Sequence, residues 1–159
     1  GVLSGDLSSF IYREMLAGFR GALAEEEIYP EAGMVIEAPL NRTERAYGSL
    51  VDLLRSSERP TAFFATRDHR AEMIWRACRE LNLRIPEDLS VISYENNYAS
   101  AYMVPPHTTV AQDFTRLAEH AVNLALEALE GQVISDRHIE VPNSFIERDS
   151  VKIRMTINQ

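Results

Sequence analysis

Several features are scarce or absent in this 159-residue sequence, and each absence excludes a class of protein. The single cysteine, Cys78, excludes an internal disulfide and fits a reducing compartment such as the cytoplasm. No apolar run reaches the length of a membrane span, so we expect a soluble chain with no membrane partner. No basic segment precedes an apolar stretch, so no signal peptide is predicted. A net charge of −8 makes stand-alone nucleic-acid binding unfavourable, because phosphate contacts need clustered Lys and Arg.

Enzyme motifs are missing as well. The segment GFRGAL lacks the Lys-Ser/Thr pair of a phosphate-binding loop, and no GxSxG nucleophile motif is present. None of the four histidines has metal-ligand spacing to the cysteine or to another histidine: His69, His107, His120 and His138. The sequence therefore predicts no catalytic residue, no metal and no cofactor.

What is present is an apolar content of 45%, enough for the core of one ordinary domain, and an alternation of strand and helix patterns. Helices are predicted over residues 7–27, after Asn41, over 70–81 and over 113–129. Strands are predicted over 33–38, 61–66, 89–94, 137–141, 144–148 and 151–157, whereas 1–5 is judged too short. This order predicts an α/β fold with three layers, a mostly parallel sheet flanked by helices.

Some local signals concern single residues. Asn41 with Glu44 three positions later resembles a capping box, and Gly131 predicts the end of the last helix. Cys78 lies on an apolar helix face, which favours a buried small hydrophobe over a reactive thiolate.

Polar clusters follow two of the predicted strands. Arg67, Asp68 and His69 follow one strand, and Glu95 begins the cluster after the other. Since parallel strands end at one edge of the sheet, both clusters should share that edge, where ligands bind in open α/β sheets. Asp68 with His69 could belong to a general-base pair, but a helix cap by Asp68 is favoured.

The cluster Glu95-Asn96-Asn97 permits two interpretations. It has too few carboxylates for a Ca²⁺ or Mg²⁺ site. It is either a polar turn or a set of groups that bind the hydroxyls of a small polar ligand. The next aromatic residues, Tyr98 and Tyr102 with Met103, could face a partner or cover the core, and covering the core is favoured.

The motifs between residues 59 and 114 resemble those of the lactose-repressor/galactose-repressor (LacI/GalR) family. They are Arg59-Pro60-Thr61-Ala62, Ile85-Pro86-Glu87-Asp88, Ser90-Val91, and Pro105-Pro106 followed by Thr108-Thr109-Val110. Leu16-Ala17-Gly18-Phe19 and the closing segment 145–150 also match, so the resemblance extends from residue 1 to about residue 150.

The resemblance implies a periplasmic-binding-protein-like fold of type I. Residues 1–159 would form a single domain fragment, the C-terminal subdomain with a fragment of the N-terminal one, beginning near the last strand of the latter. The DNA-binding headpiece would be absent. Helix 113–131 would pack on the missing N-terminal subdomain, so in this chain its apolar face should repack or pair with a second copy.

Family positions are transferred residue by residue. Glu95 falls on the effector-binding Asp, Arg67 and Asp68 fall on an Asn-Asp pair, and Met15 replaces a ligand Arg. The candidate ligand-binding residues are Glu95, Arg67, Asp68, Phe114, Gln112, Arg13 and Asn96. The candidate dimer-interface residues are Ile74, Trp75, Tyr102 and Met103.

The function implied is the ligand-sensing and dimerisation region of a cytoplasmic transcriptional regulator, not an enzyme. The expected partners are a small polar effector, by family default a sugar or sugar derivative, and a second copy in a homodimer. Arg67 would also suit an anionic group. Operator DNA would be bound only through a headpiece absent from this chain. The alternatives are an exported sugar-binding receptor of a transport system and, with least support, a small α/β enzyme using Asp68, His69 and Glu95.

Overall fold

The computed structural model describes residues 1–132 and 138–153. Its strands are β1 (Val2–Ser4), β2 (Val35–Glu37), β3 (Ala62–Ala65), β4 (Ser90–Glu95), β5 (Thr108–Ala111) and β6 (Ser144–Ile146). Its helices are α1 (Phe10–Glu25), α2 (Thr43–Arg55), α3 (Asp68–Glu80) and α4 (Phe114–Leu129). Short 3₁₀ turns lie at Ala32–Met34, Leu40–Arg42 and Tyr98–Ala101.

The six strands form one sheet in the order β2-β1-β3-β4-β5-β6. All pairs are parallel except β5 with β6, which confirms the predicted α/β fold with a mostly parallel sheet. The chain runs from β1 to β2 in one direction and then from β2 through β5 in the other. Because such crossovers are right-handed, α1 covers one face of the sheet, and α2 and α3 cover the opposite face.

The first strand corrects one expectation. Residues 1–5 are too short for a strand by their sequence pattern, yet β1 pairs with both β2 and β3 inside the sheet. Three residues suffice here because neighbours on both sides satisfy the backbone of β1, and Val2 and Leu3 are buried.

The core lies between the sheet and the α2–α3 layer. Leu50 and Leu54 of α2 and Ile74 and Cys78 of α3 pack there with strand residues such as Phe63. Cys78 is confirmed as a buried small hydrophobe, and burial raises the pKa of its thiol to about 11. The thiol is therefore protonated at neutral pH and is not a nucleophile.

Helix ends agree with one prediction and contradict another. Gly131 has a φ of +82°, and the N–H groups of Gly131 and Gln132 bond to the carbonyls of Ala128 and Glu127, as in a Schellman motif. The predicted capping box is wrong: α2 follows Arg42 without any side-chain cap. A 3₁₀ turn over Leu40–Arg42 precedes the helix and supplies its entry instead.

The late strands are fewer than predicted. β6 lies within the predicted strand 144–148, but residues 138–141 of the predicted strand 137–141 are not extended in a sheet. Residues 151–153 likewise form no strand, and the remainder of the predicted strand 151–157 lies outside the described residues. Alternation alone did not suffice, because it indicates a half-exposed face and does not supply a partner strand.

Helix α4 buries none of its side chains. It begins at Asp113, whose carboxylate accepts from the N–H of Arg116 at 3.0 Å. Five of its large apolar side chains are exposed: Phe114, Leu117, Val122, Leu126 and Leu129. Despite this apolar face, no helix among the described residues is long and apolar enough to span a membrane.

Candidate functional site

The candidate site lies at the edge formed by the carboxyl ends of β3, β4 and β5. Arg67 follows β3, and Glu95 is the last residue of β4. The Arg67 guanidinium forms an ion pair with the Glu95 carboxylate, with side chains 30% and 21% exposed. The two polar clusters therefore meet at one edge, as the fold class predicted. Burial lowers the pKa of Arg67, but the hydrogen bonds to Glu95 and Tyr12 outweigh it and raise the pKa overall.

Tyr12 of α1 is part of this site, although the sequence did not indicate it. Its hydroxyl oxygen accepts from Arg67 Nε at 3.3 Å and from Arg70 Nη1 at 3.5 Å. The two guanidinium carbons lie 5.9 Å and 5.0 Å from the centre of its ring. Burial raises the pKa of Tyr12, but the hydrogen bond from Arg67 and the charge of Arg70 lower it overall. Tyr12 thus holds two cations against one aromatic ring.

Gly5 makes room for that ring. A Cβ at Gly5 would overlap the Tyr12 ring, so the loop after β1 and the first turn of α1 approach each other as closely as the backbone allows. The position of Tyr12 beside Arg67 therefore depends on a residue without a side chain.

Asp68 is at the centre of a buried hydrogen-bond network. Its carboxylate accepts from Ser93 Oγ at 2.5 Å, from the N–H of Asn97 at 2.5 Å and from Thr109 Oγ1 at 3.2 Å. His107 Nε2 lies 3.4 Å from the same carboxylate. The predicted helix cap is wrong, because these donors come from β4, β5 and the loop between them. Asp68 therefore joins the strands and has no exposed surface.

The loop after β4 has an unusual backbone. Glu95 and Asn96 have φ values of +122° and +57°, and neither is glycine. Asn96 Oδ1 accepts from Arg148 Nη2 at 2.7 Å, and Asn97 Oδ1 accepts from the N–H of Ser100 at 3.1 Å. The cluster thus forms a polar turn, and the side chain of Glu95, 21% exposed, pairs with Arg67 at the start of this turn.

The remaining ligand candidates lie around this edge. Gln112 directly follows Ala111, which is opposite Glu95 in the β4–β5 pairing, and Phe114 is 62% exposed. Arg13 is used locally, since its Nη1 donates to the carbonyls of Leu7 and Ser8.

The candidate dimer-interface residues differ in how far the structure exposes them. Ile74 is fully buried in the core, so its prediction as an interface residue is wrong. Trp75 is half-buried, with Nε1 donating to the carbonyl of Val104 at 3.2 Å. Tyr98 and Tyr102 are 83% and 68% exposed, with ring centres 4.8 Å apart. They do not cover the core, which was the favoured interpretation.

The sequence offered weak signals for the residues it missed. Ser93 and Thr109 are polar residues in buried strands and lie opposite each other in the pairing, which points to a shared buried acceptor. Tyr12 and Arg70 gave no signal, because α1 and α3 cover opposite faces of the sheet and the two side chains meet only at its edge. Within residues 1–132 and 138–153, no cluster of three His, Cys, Asp or Glu side chains could hold a metal ion.

Comparisons with known proteins define the class of protein first. A model of the periplasmic binding protein-like domain matches residues 3–151. A regulatory protein of the LacI family from Chloroflexus aggregans superposes with a TM-score of 0.86 at 25% identity, covering 96% of this chain and 54% of that chain. The lac repressor dimer bound to operator and the anti-inducer ONPF gives 0.82 at 30% identity, covering 95% and 51%.

The sequence relatives narrow the class. The HTH-type transcriptional repressor PurR of Haemophilus influenzae (strain PittEE) is 35% identical over 156 residues, 96% of this chain and 46% of the relative. PurR of Vibrio atlanticus (strain LGP32) is 33% identical over 150 residues, 94% and 45%. The chain belongs to the periplasmic binding protein-like domain family, and it is similar to part of LacI-family transcriptional repressors. It spans about half the length of these relatives.

Proposed function

We propose that this chain senses a small polar effector at the carboxyl edge of its sheet, within a cytoplasmic regulator that is not an enzyme. The observation that carries the proposal is the half-exposed Arg67–Glu95 pair, because ligands of open α/β sheets bind at this edge. The relatives are transcriptional repressors, which supports a sensing role.

The side chains at this edge would have different tasks. Glu95 would accept from effector hydroxyls and Arg67 would donate to effector oxygens, while Phe114 would offer an apolar surface. Gln112, Asn96 and Arg13 would complete the polar rim. We do not propose a direct contact for Asp68, because its carboxylate is buried and bound to Ser93, Asn97 and Thr109. Its task would be to hold the strand ends in place.

The regulatory consequence would be a shift between two states of the whole protein. An effector that binds one closure state more tightly than the other shifts the equilibrium by that difference in affinity. Helix α4, with its apolar face exposed, would pack on the part of the protein outside this chain. The DNA-reading headpiece would belong to that part as well.

A second copy would bind near the exposed aromatic pair. Tyr98 and Tyr102, with Met103 and Trp75 beside them, form the surface that we propose for a homodimer. Exposed aromatic side chains are enriched at such interfaces. The lac repressor to which this chain is similar is a dimer.

The test is a thermal-shift screen of neutral sugars, sugar phosphates and nucleobases on this chain, followed by titration of each hit. Glu95→Ala should weaken binding of a neutral effector about tenfold or more, because a hydrogen bond to a charged group is lost. Glu119→Ala, at an exposed position on α4, is the matched control and should leave the affinity unchanged. A neutral hit that binds Glu95→Ala as tightly as the parent chain would overturn the site.

A further inference from the structure

We infer that the effector carries an oxyanion, a phosphate or a carboxylate, which binds Arg67 where the Glu95 carboxylate now binds it. The inference depends on the proposed function, since it names the chemical class recognised at the same site. It is carried by the distribution of charge around Tyr12 and by the backbone of Glu95.

The Arg67 guanidinium is accessible, and only two of its three nitrogens have partners among the described residues. Its Nε donates to the Tyr12 hydroxyl and its Nη1 pairs with Glu95. Across residues 1–132 and 138–153, its Nη2 has no partner. With 30% of the side chain exposed, one edge of the guanidinium can receive an oxyanion in the two-point geometry that Arg favours.

Arg70 adds a second positive charge, and no carboxylate of the described residues pairs with it. It is 3% exposed, and its partners are neutral oxygens: the carbonyl of Ala38 at 3.2 Å and the Tyr12 hydroxyl. Its Nε is buried without a partner in the described part of the chain. Buried charges are normally paired, so this guanidinium favours an anion nearby.

The neighbouring carboxylates do not pair with both of these positive charges. Asp68 is fully engaged with Ser93, Asn97 and Thr109 and makes no ion pair with either arginine. Within the two described ranges, Glu95 is therefore the single carboxylate bound to this pair of guanidinium groups. The start of α3 lies between Arg67 and Arg70 and adds the partial positive charge of a helix N-terminus.

The Glu95 residue, whose carboxylate pairs with Arg67, has an unfavourable backbone conformation. Glu95, at φ +122°, is followed by Asn96 at φ +57°, and non-glycine residues rarely adopt either value. Glu95 pairs with Arg67 from this strained turn. An effector oxyanion would replace it without that constraint, and the released Glu95 would remain free to accept from effector hydroxyls.

The experiment is an NMR titration of this chain, at constant ionic strength, with inorganic phosphate, acetate and glucose, following the arginine Nε–H signals. Phosphate or acetate should shift the Arg67 signal, and glucose alone should shift it less. The preferred anion of the two separates a phosphorylated effector from a carboxylate. Arg67→Gln should weaken anion binding about tenfold, and Arg67→Lys, which keeps the charge, should weaken it less.

Two further variants make the result decisive. Glu95→Gln should tighten anion binding about threefold to tenfold, because it removes the internal competitor. Arg76→Gln removes a guanidinium that pairs with Glu80 on the exposed side of the same helix, and it should leave the affinity unchanged. The inference is overturned if Glu95→Gln does not tighten anion binding, or if Arg67→Gln behaves like Arg76→Gln.

The failure of this inference can be told from failure of the proposed function. A neutral sugar or nucleobase that binds through Glu95 while phosphate and acetate leave Arg67 unaffected would overturn the oxyanion alone. A screen in which no compound depends on Glu95 would overturn both.

Discussion

Among single residues, Asp68 contributes most to holding together the strand ends at the carboxyl edge of the sheet, because its carboxylate binds β4, β5 and the loop between them. Asp68→Asn keeps the shape but replaces one acceptor oxygen with an amide that must face a donor from Ser93, Asn97 or Thr109. We expect the free energy of unfolding to fall by roughly 2–3 kcal/mol. Urea denaturation measures this, and Asp52→Asn, at an exposed position on α2, should change it by no more than about 0.5 kcal/mol.

The same carboxylate should make stability depend on pH. Burial raises the pKa of Asp68, but the nearby His107 ring and the hydrogen bonds from Ser93 and Asn97 lower it overall below its usual value of 3.8. The unfolded chain therefore binds this proton more readily, so the stabilisation is complete above about pH 5 and is lost as pH falls through the folded pKa. Asp68→Asn should flatten the decline in unfolding free energy on the acid side. Parallel stability profiles for the two chains would contradict this.

Single residues were predictable where their position along the chain decides their role. Arg67 and Glu95 follow strands, and the ends of parallel strands meet, so their proximity followed from the fold class. The role of Asp68 was not predictable, because its donors come from β4, β5 and the turn between them. Tyr12 is 55 positions from Arg67, and no local pattern relates the two.

Among the contacts between elements, the close approach of the loop after β1 to α1 at Gly5 has no room for an added methyl group. Gly5→Ala would place a Cβ within the Tyr12 ring and push the ring away from Arg67 and Arg70. We expect a loss of roughly 1–3 kcal/mol in unfolding free energy, as for other overpacked sites.

The matched control for Gly5→Ala is a glycine within α1, the helix that carries Tyr12. Gly18 has a helical backbone, and a methyl group added there would meet open space, so Gly18→Ala should stabilise α1 by about 0.5–1 kcal/mol. Chemical denaturation of both variants measures the two changes in unfolding free energy. Equal changes would show that the position of the Tyr12 ring does not depend on the absence of a side chain at Gly5.

Longer elements were predicted better than short ones. The four helices follow the apolar periodicity, and α4 even ends at the predicted glycine. β1 was missed because three residues carry no period. The edge strand predicted over 151–157 is not formed by its described residues 151–153, because alternation does not tell whether a neighbouring strand is available. Pairing partners, not the local pattern, decided both outcomes.

For the molecule as a whole, the exposed face of α4 should determine its behaviour in solution. We expect the chain to bind a hydrophobic dye or to self-associate, because Val122, Leu126 and Leu129 are uncovered. Val122→Lys with Leu126→Lys should reduce dye binding or association with little change in unfolding free energy. Leu50→Ala, in the core, should instead lower that free energy by roughly 2–5 kcal/mol. A chain that is monomeric and binds no dye would contradict the prediction.

The fold and the family were predictable at this scale, and the effector was not. The motifs between residues 59 and 114 indicated the family that the comparisons then confirmed. The candidate site differs from the family motifs at Arg67, Glu95 and Met15, so the resemblance does not identify the effector that we propose for this chain. The charges that we propose to select the ligand meet around Tyr12, and no local pattern in the sequence brings them together.

The pairing of β5 with β6 has a mechanical consequence for α4. Ala111 lies between Glu95 on one side and Ser144 on the other, so the chain leaves the sheet towards α4 and re-enters it at adjacent residues. The chain therefore leaves the sheet for α4 and returns to it at two paired positions. Because Glu95 pairs with Ala111 in the same ladder, a ligand bound at this edge as we propose would act beside the point from which α4 departs.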